Sequence, residues 1–265
     1  MLERLLITGA GGGVGRVARQ KLAHLAKTIR VSDIVDVGPA GPHEEVVTCD
    51  LGDKAAVDAL VAGCDGIVHL GGISVEDTFS RILNANITGI YNLYEAVRRH
   101  GSPRVVLASS NHVVGYHLQS DRLDAAAPLR PDGLYGVSKC FAEALASMYH
   151  DKFGVETAIL RIGSCFAEPW DHRSLATWLS YDDFASFVEC AFSVPRLGLP
   201  IVYGVSDNDT VWWDNSAAAF LGWKPKDSTR THRERILATV PRPAPDAPEA
   251  RFQGGKFTAD GIHEE

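Results

Sequence analysis

The stretch Thr8-Gly9-Ala10-Gly11-Gly12-Gly13-Val14-Gly15 constrains this chain more than any other. It follows the apolar run Leu5-Leu6-Ile7-Thr8 and opens VGRVARQKLAHLA, where Val14, Val17, Ala18, Leu22 and Leu25 recur near helical spacing. Gly9, Gly12 and Gly15 make the pattern G-x-x-G-x-x-G. Residues without side chains allow a tight turn and close approach of an anion. The helix that follows offers free N–H groups and a partial positive charge. In isolation a glycine cluster is only a flexible turn. Between a strand and a helix it is a seat for a dinucleotide pyrophosphate, with Gly9, Gly12, Gly13, Val14 and Gly15 as its contacts.

The rest of the chain keeps the alternation. IRVSD (29–33), VVTCD (46–50), GIVHL (66–70), RVVLASS (104–110) and TAILRIG (157–163) read as strands. Helices are expected over 54–63, from Phe79 to Arg99 and from Gly136 to Lys152. Apolar strands without period-two polarity need cover on both faces. The expected fold is therefore α/β, a Rossmann-like doubly wound parallel sheet with a small C-terminal substrate-binding lobe. Residues 1–165 form the nucleotide-binding domain in this reading. Residues 166–240 form the lobe, with a helix over Tyr181–Val194, a short helix near Asn215–Leu221 and a strand near 201–205 that can join the main sheet. Residues 241–265, rich in Pro, Gly and Ala, read as an extended tail on the surface or on a neighbouring subunit, with disorder as the alternative.

Composition narrows the function. The chain of 265 residues carries a net charge of −7 and no cluster of Lys and Arg, which argues against a nucleic-acid partner. No apolar stretch reaches the ~18 residues of a membrane span. The N-terminus enters a strand directly, without the zones of a signal peptide, so a cytoplasmic protein is expected. Cys49, Cys64, Cys140, Cys165 and Cys190 are odd in number and widely spaced, as buried free thiols in a reducing compartment would be.

Asp33 ends the second strand and lies where a carboxylate can accept from both hydroxyls of an adenosine ribose. It would repel a 2′-phosphate, which favours NAD over NADP. Asp36 is a rival for that role. Asp50-Leu51 after the third strand can meet the adenine, and Leu70-Gly71-Gly72 after the fourth leave room for the cofactor.

Tyr135-Gly136-Val137-Ser138-Lys139 is Y-x-x-x-K, which puts Tyr and Lys on one helix face. An ammonium beside a phenol pulls its pKa down from ~10 and makes it a usable general base. Read alone the motif is equally a surface pair. Its context strengthens it: it follows a Pro-Asp-Gly turn and a strand that ends in Ser109-Ser110.

With these residues together, the chain resembles the extended, sugar-modifying branch of the short-chain dehydrogenase/reductase superfamily. The matching segments are TGAGGGVG (8–15), Asp33, Asp50-Leu51, HLGG (69–72), ASSNHVVG (108–115) and YGVSK (135–139). The resemblance implies a catalytic trio of Ser110, Tyr135 and Lys139. HLGGISVE (69–76), RPDGLYGVSKCF (130–141), RIGSC (161–165), WWDNS…FLGWKPKD (212–227) and the FQGGKF tail are similar to the uronate dehydrogenase family. That resemblance implies oxidation of a hexuronic acid such as glucuronate or galacturonate at C1 to an aldarolactone, with NAD. It adds Ser109, Ile162 and Cys165 to the cofactor contacts, and Ser74, Ser110, Asn111, His112, Ser164 and Arg173 to the substrate contacts. Read by itself, Arg173 in AEPWDHRSL suits a surface ion pair, and the small polar groups suit local turns. Asn86 is either an organiser of the site through water or a polar residue inside a helix. No metal is expected, because His112 lacks a second ligand at suitable spacing. A homo-oligomer is the expected assembly. The rival readings are a nucleotide-sugar epimerase or reductase of the same branch, and a non-catalytic NAD(H) sensor.

Overall fold

The computed structural model describes residues 1–265. The strands are β1 (Leu2–Thr8), β2 (Ala26–Asp33), β3 (Glu44–Thr48), β4 (Gly66–His69), β5 (Arg104–Ser110), β6 (Thr157–Ile162), β7 (Ser164–Cys165), β8 (Trp178–Leu179) and β9 (Ile201–Gly204). Seven of them form one all-parallel sheet in the order β3-β2-β1-β4-β5-β6-β9, while β7 and β8 pair separately. The helices are α1 (Gly13–Lys21), α2 (Lys54–Val61), α3 (Phe79–Ile82), α4 (Gly89–Arg99), α5 (Leu134–Phe153), α6 (Ser174–Thr177), α7 (Tyr181–Ser193), α8 (Arg230–Thr239) and α9 (Pro248–Arg251).

Strand alternation sorts the core into two layers. Leu5, Ile7, Val106 and Leu160 pack with Ala18 and Leu22 beside α1 and with Phe184, Phe187 and Val188 of α7. Leu6, Ile67, Val105 and Ile159 point the other way, onto Leu60 of α2, Leu93 and Val97 of α4 and Ala146 of α5. Each such side chain contributes about 1.5–3 kcal/mol on burial. The chain winds outward from β1 to β3 and then returns to β4 on the other side of β1. That reversal is the switch point at which an open α/β sheet binds ligands beyond its C-terminal strand ends.

The strand expected near 201–205 joins the main sheet as β9, and α7 packs in one of its helix layers. Two elements differ from the expectation. The single helix expected over Phe79–Arg99 is interrupted by a π turn at Leu83–Thr88. The wider turn turns Asn86 inward, where its amide bonds the backbone of Ile73 and the hydroxyl of Ser138. The tail is not extended throughout: it contains α9 and a 3₁₀ turn at Gly255–Ala259, and it packs on its own chain. Gln253 is fully buried there. It donates to Leu118 O and Asp121 O, both at 3.0 Å, and accepts from Trp213 Nε1 at 2.8 Å.

A buried ion pair seats α5 on the sheet. Arg161 of β6 donates to Glu143 of α5 at 3.0 and 2.8 Å, and Ser109 donates to the same carboxylate at 2.6 Å. Breaking such a pair from one side costs about 3–5 kcal/mol. No helix is long and apolar enough to cross a membrane.

Candidate active site

A cleft of about 510 Å³ opens at the switch point. Gly9, Gly12, Gly13, Val14, Gly15, Asp33, Asp50, Leu51, Leu70, Gly71, Gly72 and Ser74 all line it. Gly9 has φ +71°, and a Cβ there would lie 2.6 Å from the Leu70 carbonyl. At Gly15 a Cβ would meet Gly9 O at 2.0 Å, so the turn closes only around a bare Cα. No side chain caps α1, which leaves its first N–H groups to a ligand. Asp33 pins the glycine turn through Gly11 N at 2.8 Å and accepts from Ile34 N at 2.7 Å. Its carboxylate lines the cleft and retains lone pairs for ribose hydroxyls. An uncapped helix start, a glycine cradle and an acid at the second strand end fit NAD.

Three expected cofactor contacts do not offer their side chains to the cleft. The Ser109 hydroxyl is committed to Glu143. Cys165 lies in the apolar core, where burial pushes its thiol up to about 12. Ile162 packs against that same core. Neighbouring strand residues face opposite ways, so the Ser109 and Ser110 hydroxyls point in opposite directions.

Ser110, Tyr135 and Lys139, the residues expected to be catalytic, come together. Tyr135 and Lys139 lie one turn apart at the start of α5, with Lys139 Nζ 5.7 Å from the Tyr135 ring centroid. Lys139 Nζ donates to Ala108 O at 2.8 Å. Ser110 ends β5, and its hydroxyl accepts from His112 N at 3.2 Å. Burial pushes the Tyr135 phenol up to about 12, against a hydrogen bond with Ser110 that lowers it. Burial also brings Lys139 down to about 8. Burial is the larger effect on the phenol, and the Ser110 hydrogen bond opposes it. The start of α5 is capped from outside the helix. Glu76, from the loop after β4, accepts from Leu134 N at 2.8 Å and Tyr135 N at 3.0 Å.

Arg173 packs among Gln253, Ser164 and Asn111 rather than in a surface ion pair. Its guanidinium is half-buried and bonds only neutral groups: Gln253 O at 2.7 Å, Ser164 Oγ at 3.4 Å and Asn111. Turned so that its oxygen faces the cation, the Asn111 amide accepts from Arg173 Nη2 at 2.6 Å and donates to Ile162 O at 3.2 Å. Burial brings Arg173 down to about 10, with Asp171 and Asp132 opposing. His112 Nδ1 sits 2.7 Å from Asp132 Oδ2, and the ring stacks on Phe257 at 3.9 Å between centroids. Ser74 is exposed at the mouth of the cleft.

Glu76, Asp132, Gln253 and Phe257 were absent from the sequence reading of the site. Asp132 stands in the Pro-Asp-Gly turn, and an acid directly before the Tyr135 helix is the signal that marks it. The paired glycines 254–255 between Phe252 and Phe257 were the signal for the tail.

Fold and site together define a nucleotide-binding oxidoreductase of the Ser–Tyr–Lys type. The family model of the NAD dependent epimerase/dehydratase family matches residues 5–180. A uronate dehydrogenase of Agrobacterium fabrum (strain C58) is 58% identical over 261 residues, covering 98% of both chains. A crystal structure of the Agrobacterium tumefaciens uronate dehydrogenase, a tyrosine-to-alanine variant complexed with NAD, superposes with a TM-score of 0.98 at 57% identity and 99% coverage of each chain. The glucuronic acid dehydrogenase of Chromohalobacter salexigens matches with a TM-score of 0.98 at 55% identity, covering 99% of this chain and 98% of its own. Within the epimerase/dehydratase class, the chain belongs to the uronate dehydrogenase family.

Proposed function

We propose that this protein oxidises C1 of a hexuronic acid, D-glucuronate or D-galacturonate, to the aldarolactone with NAD as acceptor. The observation that carries the substrate is Arg173, a half-buried cation with only neutral partners beside the Ser110–Tyr135–Lys139 trio. A planar guanidinium suits a carboxylate, and relatives of this similarity are uronate dehydrogenases. Bound NAD supplies the two-electron acceptor and a cationic charge that favours the phenolate. Tyr135 takes the O1 proton and Ser110 holds O1. Lys139 stabilises the phenolate and would hold the ribose of bound NAD. Asn111, His112, Ser74 and Ser164 hold the sugar. The ring stays closed, so the first product is a lactone. General-base catalysis of this kind contributes roughly 10²–10⁴-fold.

A nucleotide-sugar reading is disfavoured because the tail packs over the substrate side, with Phe257 on His112. A non-catalytic sensor is disfavoured because Tyr135 and Lys139 are both in place. We further infer a cytoplasmic homo-oligomer whose partners are small molecules rather than nucleic acid or membrane. The support is the five unpaired cysteines, the net charge of −7, and exposed Tyr91, Val137 and Phe141 on α4 and α5.

The test follows NADH absorbance with glucuronate, galacturonate and UDP-glucose. Both uronates should turn over and UDP-glucose should not. Tyr135→Phe should bind NAD normally and lose turnover. Near-native activity in that variant, or turnover of UDP-glucose alone, would overturn the reading.

A further inference from the structure

A carboxylate lies buried beneath the substrate side of the site. The Asp132 side chain has 0% exposure. Oδ2 lies 2.7 Å from His112 Nδ1, and Oδ1 has no hydrogen-bond partner. Two separate segments clear space around it. A Cβ at Gly115 would stand 1.9 Å from Asp132 Oδ2, and one at Gly254 would stand 1.8 Å from the same atom. Gly254 belongs to the tail and donates to Gly115 O at 2.9 Å. Both segments therefore approach each other only because neither carries a side chain where the carboxylate sits.

His112 is the group that this carboxylate controls. Phe257 stacks on one face of the ring, and Tyr135 approaches at 5.7 Å in an edge geometry. The other ring nitrogen, Nε2, has no protein partner and is not sealed from solvent. Burial disfavours the charged imidazolium, although Asp132 opposes that effect. A neutral imidazole has one proton to place, and an acceptor-only carboxylate beside Nδ1 draws it there.

We propose that Asp132 is a positioning residue that locks His112 with its proton on Nδ1, so that Nε2 accepts a hydrogen bond from one hydroxyl of the sugar acid. This rests on the uronate reading above and adds a specificity rule. The site demands a hydroxyl donor at one ring position, and the energetic weight of that demand resides in Asp132 as much as in His112. Asp132 touches neither substrate nor the transferred proton; it acts through the tautomer.

The direct test is ¹⁵N NMR of the histidine-labelled holoenzyme with NAD bound, the His112 signals being assigned by their loss in His112→Asn. The expected signature is a protonated Nδ1 and a bare, pyridine-like Nε2. A proton on Nε2, alone or with Nδ1, would overturn the proposal without reference to any Asp132 variant. Asp132→Asn should move the proton to Nε2 and lower kcat/KM for glucuronate by roughly 10- to 100-fold, the range of a buried polar group left without its hydrogen-bond partner, while NAD affinity holds. A series of monodeoxy uronates completes the cycle. One member should be poor for wild type and no worse for Asp132→Asn. Equal further losses on every member would reduce Asp132 to a structural role and sink the idea. Tautomer and turnover are separate readouts: a wild type inactive on all uronates removes the proposed function, whereas an active wild type with the wrong tautomer removes only the role of Asp132.

Discussion

Arg173 carries the largest residue-scale consequence. Burying a guanidinium costs desolvation, which the depressed pKa of about 10 records. Its hydrogen-bond partners are all neutral and give it no direct ionic partner, which a ligand carboxylate would supply. Arg173→Ala should therefore weaken uronate binding by about 2 kcal/mol or more, a KM rise of roughly 30-fold, with NAD affinity unchanged. Arg173→Lys should recover only part, because an ammonium lacks the planar fork. An unaltered KM in the alanine variant removes Arg173 from the substrate site. At this scale motif spacing and a strand end mark Ser110, Tyr135 and Lys139, whereas Arg173 follows only from the family resemblance, its own sequence context suiting a surface ion pair. The side chains of Ser109 and Cys165 turn into the interior, a direction that position in a motif does not record because a one-residue step along a strand reverses it.

Between elements, the site depends on segments that brace each other from a distance in sequence. Glu76 caps the helix that bears Tyr135, and Asn86 ties the same loop to Ser138 through the π turn. Gln253 ties the tail to Leu118, Asp121 and Trp213. Gln253→Ala would strand three polar groups, each costing about 1–3 kcal/mol if it stays dry. The expected result is a tail that limited proteolysis clips readily, a uronate KM raised roughly 10-fold, and intact NAD binding. A protease-resistant variant with native KM would show that the tail is no part of the site. The core elements were legible because apolar periodicity marks them. The tail and the π turn were not, because a Pro- and Gly-rich composition reads as loose chain unless its burial sites are known.

The whole molecule should couple cofactor binding to stability. A ligand held by the native cleft at 100 times its Kd adds about 2.7 kcal/mol, which raises Tm by several degrees for a chain of this size. NAD should produce that rise in a thermal melt. NADP at equal concentration should not, because the Asp33 carboxylate lines the cleft and would repel a 2′-phosphate. An equal rise with NADP would overturn the role of Asp33. By itself the sequence determined the parallel α/β sheet, the glycine turn, the acid at the second strand end and the Tyr–Lys helix. Each of these is written locally, in periodicity, in backbone freedom or in a four-residue spacing. Tertiary structure alone decided that Asp132 lies beneath His112, that Glu76 caps α5 and that the tail returns to Arg173. Those contacts join residues distant in sequence, and only the packing of loops at the C-terminal ends of the strands brings them within bonding distance.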